Sequence, residues 1–144
     1  MAIGNDGTVS VDVPHCFEKS FTAAPEHIDE LGHVNNSVWV QWIQDLATAH
    51  WDAVADAAHR EQFFWVVVRH EIDYRGNIGE GEVATGRTWI PDAPRGATSV
   101  RHVEFVDANG KRLVSAQTTW AMLDRETQRL VRVRPEVIAP FHSE

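Results

Sequence analysis

One run of eight residues concentrates side chains and backbone able to act on a carbonyl: Asp29-Glu30-Leu31-Gly32-His33-Val34-Asn35-Asn36. It holds a carboxylate, a glycine, an imidazole and two amides, and it stands just upstream of a predicted helix. The first turn of a helix carries unpaired N–H groups and the positive end of the backbone dipole, a place that favours developing negative charge. Such an end can serve as an oxyanion hole for a carbonyl under attack. A carboxylate beside it can be the nucleophile or the base that activates water, and Asp29 is the first candidate. Gly32 supplies a backbone geometry that a Cβ would hinder. Asn35 or Asn36 caps the helix, because a short amide side chain accepts from an N–H two or three residues on. Aspartates in loops more often only shape a turn, so the run needs a scaffold that aims it. The spacing of His27, Asp29 and His33 matches no common metal site, and neither a metal nor a cofactor is expected.

The helix is predicted over residues 36–58. Val38, Trp39, Trp42, Ile43, Leu46, Ala49, Val54 and Ala58 recur at steps of three and four, with no Pro or Gly among them. So apolar a stripe calls for a sheet to cover it. Residues 15–24 read as a first strand, ended by Pro25. Residues 63–74, FFWVVVRHEIDY, read as a strong strand. Its period of two puts Phe64, Val66, Val68, His70, Ile72 and Tyr74 on the predicted core face and Trp65, Val67 and Arg69 on the other. Glycines at 76, 79 and 81 mark a loop. Strands are predicted over 82–90, 97–106 and 112–123, and Asn109-Gly110 between the last two is a hairpin signal. Residues 130–133 suggest a short edge strand, and a terminal turn is predicted from Pro135. One helix followed by consecutive strands with short turns gives an α+β fold: an antiparallel sheet of about five strands wrapped around one long central helix.

With 144 residues and 43% hydrophobic content, the sequence suits one domain over 1–144 with its own core, residues 1–10 fraying at the end. Thirteen Lys and Arg against 21 Asp and Glu leave a net charge of −8, which argues against broad binding to nucleic acid or to anionic membrane. A local arginine cluster could still hold an anionic small ligand. Cys16 is the lone cysteine, so no intramolecular disulfide forms. No window approaches the roughly 20 apolar residues of a membrane span. The first residues are acidic and lack the form of a secretory signal, so a cytoplasmic protein is expected.

The run Asp29-x-x-Gly32-His33-Val34-Asn35-Asn36 leading into a tryptophan-bearing helix resembles the hotdog-fold thioesterases of the 4-hydroxybenzoyl-CoA thioesterase type. It is also similar to the acyl-carrier-protein thioesterases. The resemblance implies hydrolysis of an acyl-CoA to a carboxylic acid and free CoA, or else of an acyl-carrier-protein thioester. A non-catalytic acyl-CoA binder of the same fold is the reading from another class. The resemblance gives Asp29 the catalytic carboxylate and Asn36 the backbone N–H that polarises the substrate carbonyl. His33 and Asn35 resemble the imidazole and amide of the carrier-protein enzymes. Leu31, however, stands where those enzymes carry an asparagine. Gly32, Asn35, Trp39, Arg69 and Arg75 are substrate-binding candidates, since arginine forks suit the phosphates of CoA. Asp45, on the helix, is the alternative carboxylate, because another hotdog group places its catalytic acid there. A homodimer or homotetramer with sites at the subunit boundary is the implied assembly.

Overall fold

The computed structural model describes residues 16–142, so the expected fraying of residues 1–10 lies outside the described residues. In chain order it contains β1 (Phe17–Thr22), a 3-10 turn (Pro25–His27), α1 (Asn36–Val54), α2 (Ala57–Gln62), β2 (Phe63–Tyr74), β3 (Val83–Trp89), β4 (Thr98–Val106), β5 (Arg112–Asp124) and α3 (Pro135–His142). The five strands form one antiparallel sheet in the order β1-β3-β4-β5-β2, with β1 and β2 at its edges. The predicted Asn109-Gly110 turn closes β4 onto β5. Asp107 Oδ1 accepts from the Asn109 and Lys111 N–H groups at 2.8 and 2.9 Å, and Gly110 takes a φ of 81°.

One face of α1 buries Trp39, Trp42, Ile43 and Leu46 against Phe21, Val103, Phe105 and Val114 of the sheet. Each such side chain contributes roughly 1.5–3 kcal/mol on leaving water. The helix can come this close because β3 carries Gly86. A Cβ there would stand 2.7 Å from Phe105 Cε1 and 2.9 Å from Leu46 Cδ2. A second cluster, built from Ala55, Ile90, Met122, Val133, Val137, Ile138 and Phe141, packs α3 beside the other end of α1, where Trp51 and Val54 adjoin it.

Four expectations are corrected. The apolar stripe continues to Ala58, yet α1 ends at Val54: Ala55 and Asp56 are extended, and α2 starts afresh at Ala57. In β2 the register against β5 shifts between Val67 and Arg69, so Val68 is an extra residue and the strand changes face there. Trp65 packs towards the second cluster, Val66 and Val68 are exposed, and beyond the bulge Ile72 faces the core as predicted. Finally, residues 130–133 make only a single bridge, Leu123 to Leu130, and residues 135–142 form a helix rather than a turn. Pro135 opens that helix, a position where its missing N–H costs nothing.

Candidate functional site

The predicted reactive run folds as a small hairpin leaning on the N-terminus of α1. Ile28 and Val34 form its bridge. The Asp29 N–H donates to His33 O at 2.9 Å, the Asn35 N–H to His27 O at 3.0 Å, and the Gly32 N–H to Asp29 O at 3.0 Å. Gly32 has a φ of 80°, the left-handed conformation that its lack of a Cβ permits. The half-buried Asp29 carboxylate is oriented by this turn: Oδ1 accepts from the Leu31 and His33 N–H groups at 2.9 and 3.3 Å. Oδ2 has no hydrogen bond among the described residues, which leaves one carboxylate oxygen for another task.

Asn35, not Asn36, caps α1. Its Oδ1 accepts from the Ser37 N–H at 2.9 Å and from Ser37 Oγ at 2.8 Å. Asn36, an exposed residue, is therefore the first of the helix, and its N–H has no acceptor among the described residues. The hairpin thus brings Asp29, Gly32, His33, Asn35 and Asn36 to one helix end. His33 is exposed, and its ring makes no hydrogen bond among the described residues.

The other candidates lie elsewhere. Trp39 is 0% exposed and stands edge-on to Trp42 and Phe105 at ring-centroid distances of 5.1 and 5.2 Å. It belongs to the core and offers a ligand no surface in the subunit, which corrects its place among the substrate-binding candidates. Arg69 is exposed on the edge strand and lies 3.6 Å from Glu71. Arg75, just past β2, is fixed through its N–H to Leu113 O at 2.8 Å. No hydrogen bond or ion pair joins either arginine to the hairpin among the described residues. Asp45 is exposed and accepts from Gln41 Nε2 at 2.8 Å, one turn away on the same helix.

Sequence reasoning missed the brace behind the hairpin. Asn77 Oδ1 accepts from the Val34 N–H at 3.1 Å and the Ile78 N–H at 2.9 Å, and its Nδ2 donates to Val34 O at 3.1 Å. Glu82 Oε1 takes the Gly79 N–H at 2.7 Å, holding the next turn of the same loop. The glycines marked this segment as a loop, but only an asparagine within it hinted at a side chain with partners to find.

A cleft of about 250 Å³ opens beside the other half of α1, lined by Ala47, Trp51, Trp65, Ser99, Arg101 and Trp120 among others. None of the hairpin residues lines it. Trp51 lies fifteen residues along α1 from Asn36, about 20 Å at the helical rise. Arg101 is 5% exposed there, donating through Nη1 to His50 Nδ1 at 2.7 Å and to Thr88 Oγ1 at 3.1 Å. Burial pulls its guanidinium down to about 9, and at neutral pH it keeps its charge.

The model of the acyl-ACP thioesterase N-terminal domain family matches residues 14–141. The chain belongs to that family. Solved structures agree with this acyl-ACP thioesterase-family domain in fold. A protein provisionally named oleoyl thioesterase from Lactobacillus plantarum superposes with a TM-score of 0.79 at 22% identity, over 91% of this chain and 52% of its own. An acyl-ACP thioesterase from Bacteroides thetaiotaomicron gives 0.76 at 20%, over 90% and 54%. A 1,4-dihydroxy-2-naphthoyl-CoA thioesterase from Synechocystis gives 0.70 at 13%, over 84% and 91%. At these identities the likeness is one of fold, the hotdog arrangement of sheet and helix. The family domain spans about half the length of the first two structures and nearly all of the third. No curated sequence matches it. No helix among its described residues is long and apolar enough to cross a membrane.

Proposed function

We propose that this protein is a thioester hydrolase that converts an acyl-CoA and water to a carboxylic acid and free CoA. The observation that carries the reading is the half-buried Asp29 carboxylate, pinned by two backbone N–H groups through one oxygen, in a hairpin that ends at the open Asn36 N–H. In the proposed reaction the free Asp29 oxygen takes a proton from water as its oxygen attacks the thioester carbon. The carbonyl oxygen becomes negative and is held by the Asn36 N–H at the positive end of α1. The C–S bond then breaks, and the thiolate leaves and takes up a proton. Direct attack by Asp29, giving a mixed anhydride that water opens, uses the same groups. A thioester suits so small a set, because its carbon is more electrophilic than that of an oxygen ester and its leaving group is a stabilised thiolate. His33 and Asn35 belong to the same hairpin, and Gly32 gives it its turn.

The family match favours a second reading, in which the acyl group arrives on a carrier protein rather than on CoA. In either case the working unit is proposed to be a homodimer, alone or paired into a tetramer, with the hairpin at the subunit boundary and Arg69 and Arg75 available to phosphates. The edge strand β2 supports this, since Val68 is 57% exposed on it. The test is thiol release from short-chain, long-chain and aryl acyl-CoA, and from acyl-carrier protein, by wild type and Asp29→Asn. The expected result is turnover by wild type and a loss of about 10²-fold or more in kcat for the variant, at unchanged oligomer mass. Full activity in Asp29→Asn removes Asp29 from the mechanism. Tight acyl-CoA binding with no turnover makes the protein a binder instead.

A further inference from the structure

The cleft beside the C-terminal half of α1 is lined by hydrogen-bond donors in want of acceptors. Successive inner-face positions of β4 place Ser99 and Arg101 in it, both 5% exposed. Ser99 Oγ, Trp65 Nε1 and Trp120 Nε1 are buried without a hydrogen-bond partner among the described residues. Among the described residues Arg101 hydrogen-bonds only through Nη1, to His50 and Thr88, its guanidinium stands over the Phe141 ring at 5.8 Å, and no carboxylate pairs with it. A guanidinium cannot accept, so His50 Nδ1 is the acceptor. Among the described residues this is a buried cation with no counter-ion beside three unsatisfied polar groups, a costly arrangement in an interior. Apolar side chains, among them Trp51, Phe64, Ile90 and Ile138, make up much of the remaining wall. Arg60, Arg125 and one acid, Asp52, also line it, with Arg60 Nη1 donating to the Asp52 carbonyl oxygen at 2.7 Å.

We propose that this cleft binds a small aromatic carboxylate, its carboxyl group on Arg101, Ser99 and the two indole N–H groups and its ring against the half-buried Trp51, Trp65 and Trp120. A carboxylate is acceptor-only and supplies the missing negative charge, whereas water fills the hydrogen bonds and leaves the charge unmatched. The volume, about 250 Å³, suits a ring and one carboxyl group rather than a long chain. The site stands apart from the Asp29 hairpin and does not depend on the reaction proposed there.

The test is an NMR titration of the indole N–H signals in the intact protein, with Trp65→Phe and Trp120→Phe assigning two of them. Benzoate is the probe, with neutral benzamide and inorganic phosphate as comparisons. Benzoate is expected to shift the Trp65 and Trp120 signals saturably and to bind at least about tenfold tighter than benzamide, as a charge-assisted hydrogen bond predicts. Ser99→Ala is expected to weaken benzoate about threefold at unchanged Tm, the loss of one hydrogen bond. Arg101→Gln is expected to bring the two ligands to equal affinity. If that variant fails to fold, the ligand comparison on wild type and the Ser99→Ala result still decide. Indole signals that benzoate leaves in place, equal binding of benzamide, or equal competition by phosphate overturns the proposal.

Discussion

Asn77 ties the loop after β2 to the Asp29 hairpin, taking the Val34 and Ile78 N–H groups and donating to Val34 O. Removing the amide leaves Val34 O without this donor and reduces Val34 N–H to its bond with Ile78 O at 3.2 Å. Asn77→Ala is therefore expected to cost about 1–3 kcal/mol in urea unfolding. If the hairpin is the reactive element, kcat falls further than that loss of folded protein explains. Asn77→Asp, which keeps the acceptor and loses the donor, is expected to fall between the two. His70 makes a prediction of opposite character. Its Nδ1 lies 3.0 Å from Thr118 Oγ1, its Nε2 is buried without a partner among the described residues, and burial lowers its pKa from the ordinary 6.5. The unfolded chain then takes up the proton first as pH falls. The stability His70 contributes is present above about pH 6.5 and is lost as pH drops through its lower folded value. A thermal melt series from pH 7.5 to 5 is expected to decline in wild type and to decline less in His70→Gln, and equal slopes would refute the assignment.

At the level of elements, Gly86 decides how closely α1 can lie on the sheet. A methyl group there meets Phe105 and Leu46, both fully buried, and neither has open space to move into. Gly86→Ala is expected to destabilise by about 1–3 kcal/mol, the usual cost of overpacking, and a Tm within a degree of wild type would show that the helix can lift freely. The sequence carried the long helix, the strand after it and the Asn109-Gly110 hairpin because each depends on local spacing. It could not carry the β2 bulge. Val66, Val67 and Val68 are alike, so a period of two runs through them without a sign that one residue is extra. Helix α3 was hidden by its length, eight residues with Pro140 inside, although Pro135 at its start was a usable signal. In the candidate site the hairpin residues were readable as one motif. Asn77 and Arg101 were not, since their partners lie 43 and 51 positions away in the chain. Arg101 in particular reads as one more strand arginine until α1 and β3 close over it.

On the scale of the whole molecule, β2 is the feature that the single chain does not resolve by itself. It has twelve residues, pairs among the described residues only with β5, and exposes Val66, Val68 and Tyr74. A long, apolar, unpaired edge offers its free N–H and C=O groups to any matching strand. The proposed dimer would pair β2 with β2 of a second copy, an isologous contact that consumes both edges at once. The Val68 bulge lies within that edge, so a charge there meets its own copy across or near the axis. Val68→Lys is expected to shift the sedimentation profile from dimer to monomer while leaving far-UV circular dichroism unchanged, because the side chain is already exposed in the subunit. The same variant separates two readings of the Asp29 hairpin. If its opening is completed by a partner, monomerisation lowers kcat/KM for the thioester along with the mass. If the hairpin is complete within one chain, the monomer keeps its activity, and the subunit-boundary site is ruled out while Asp29 stands.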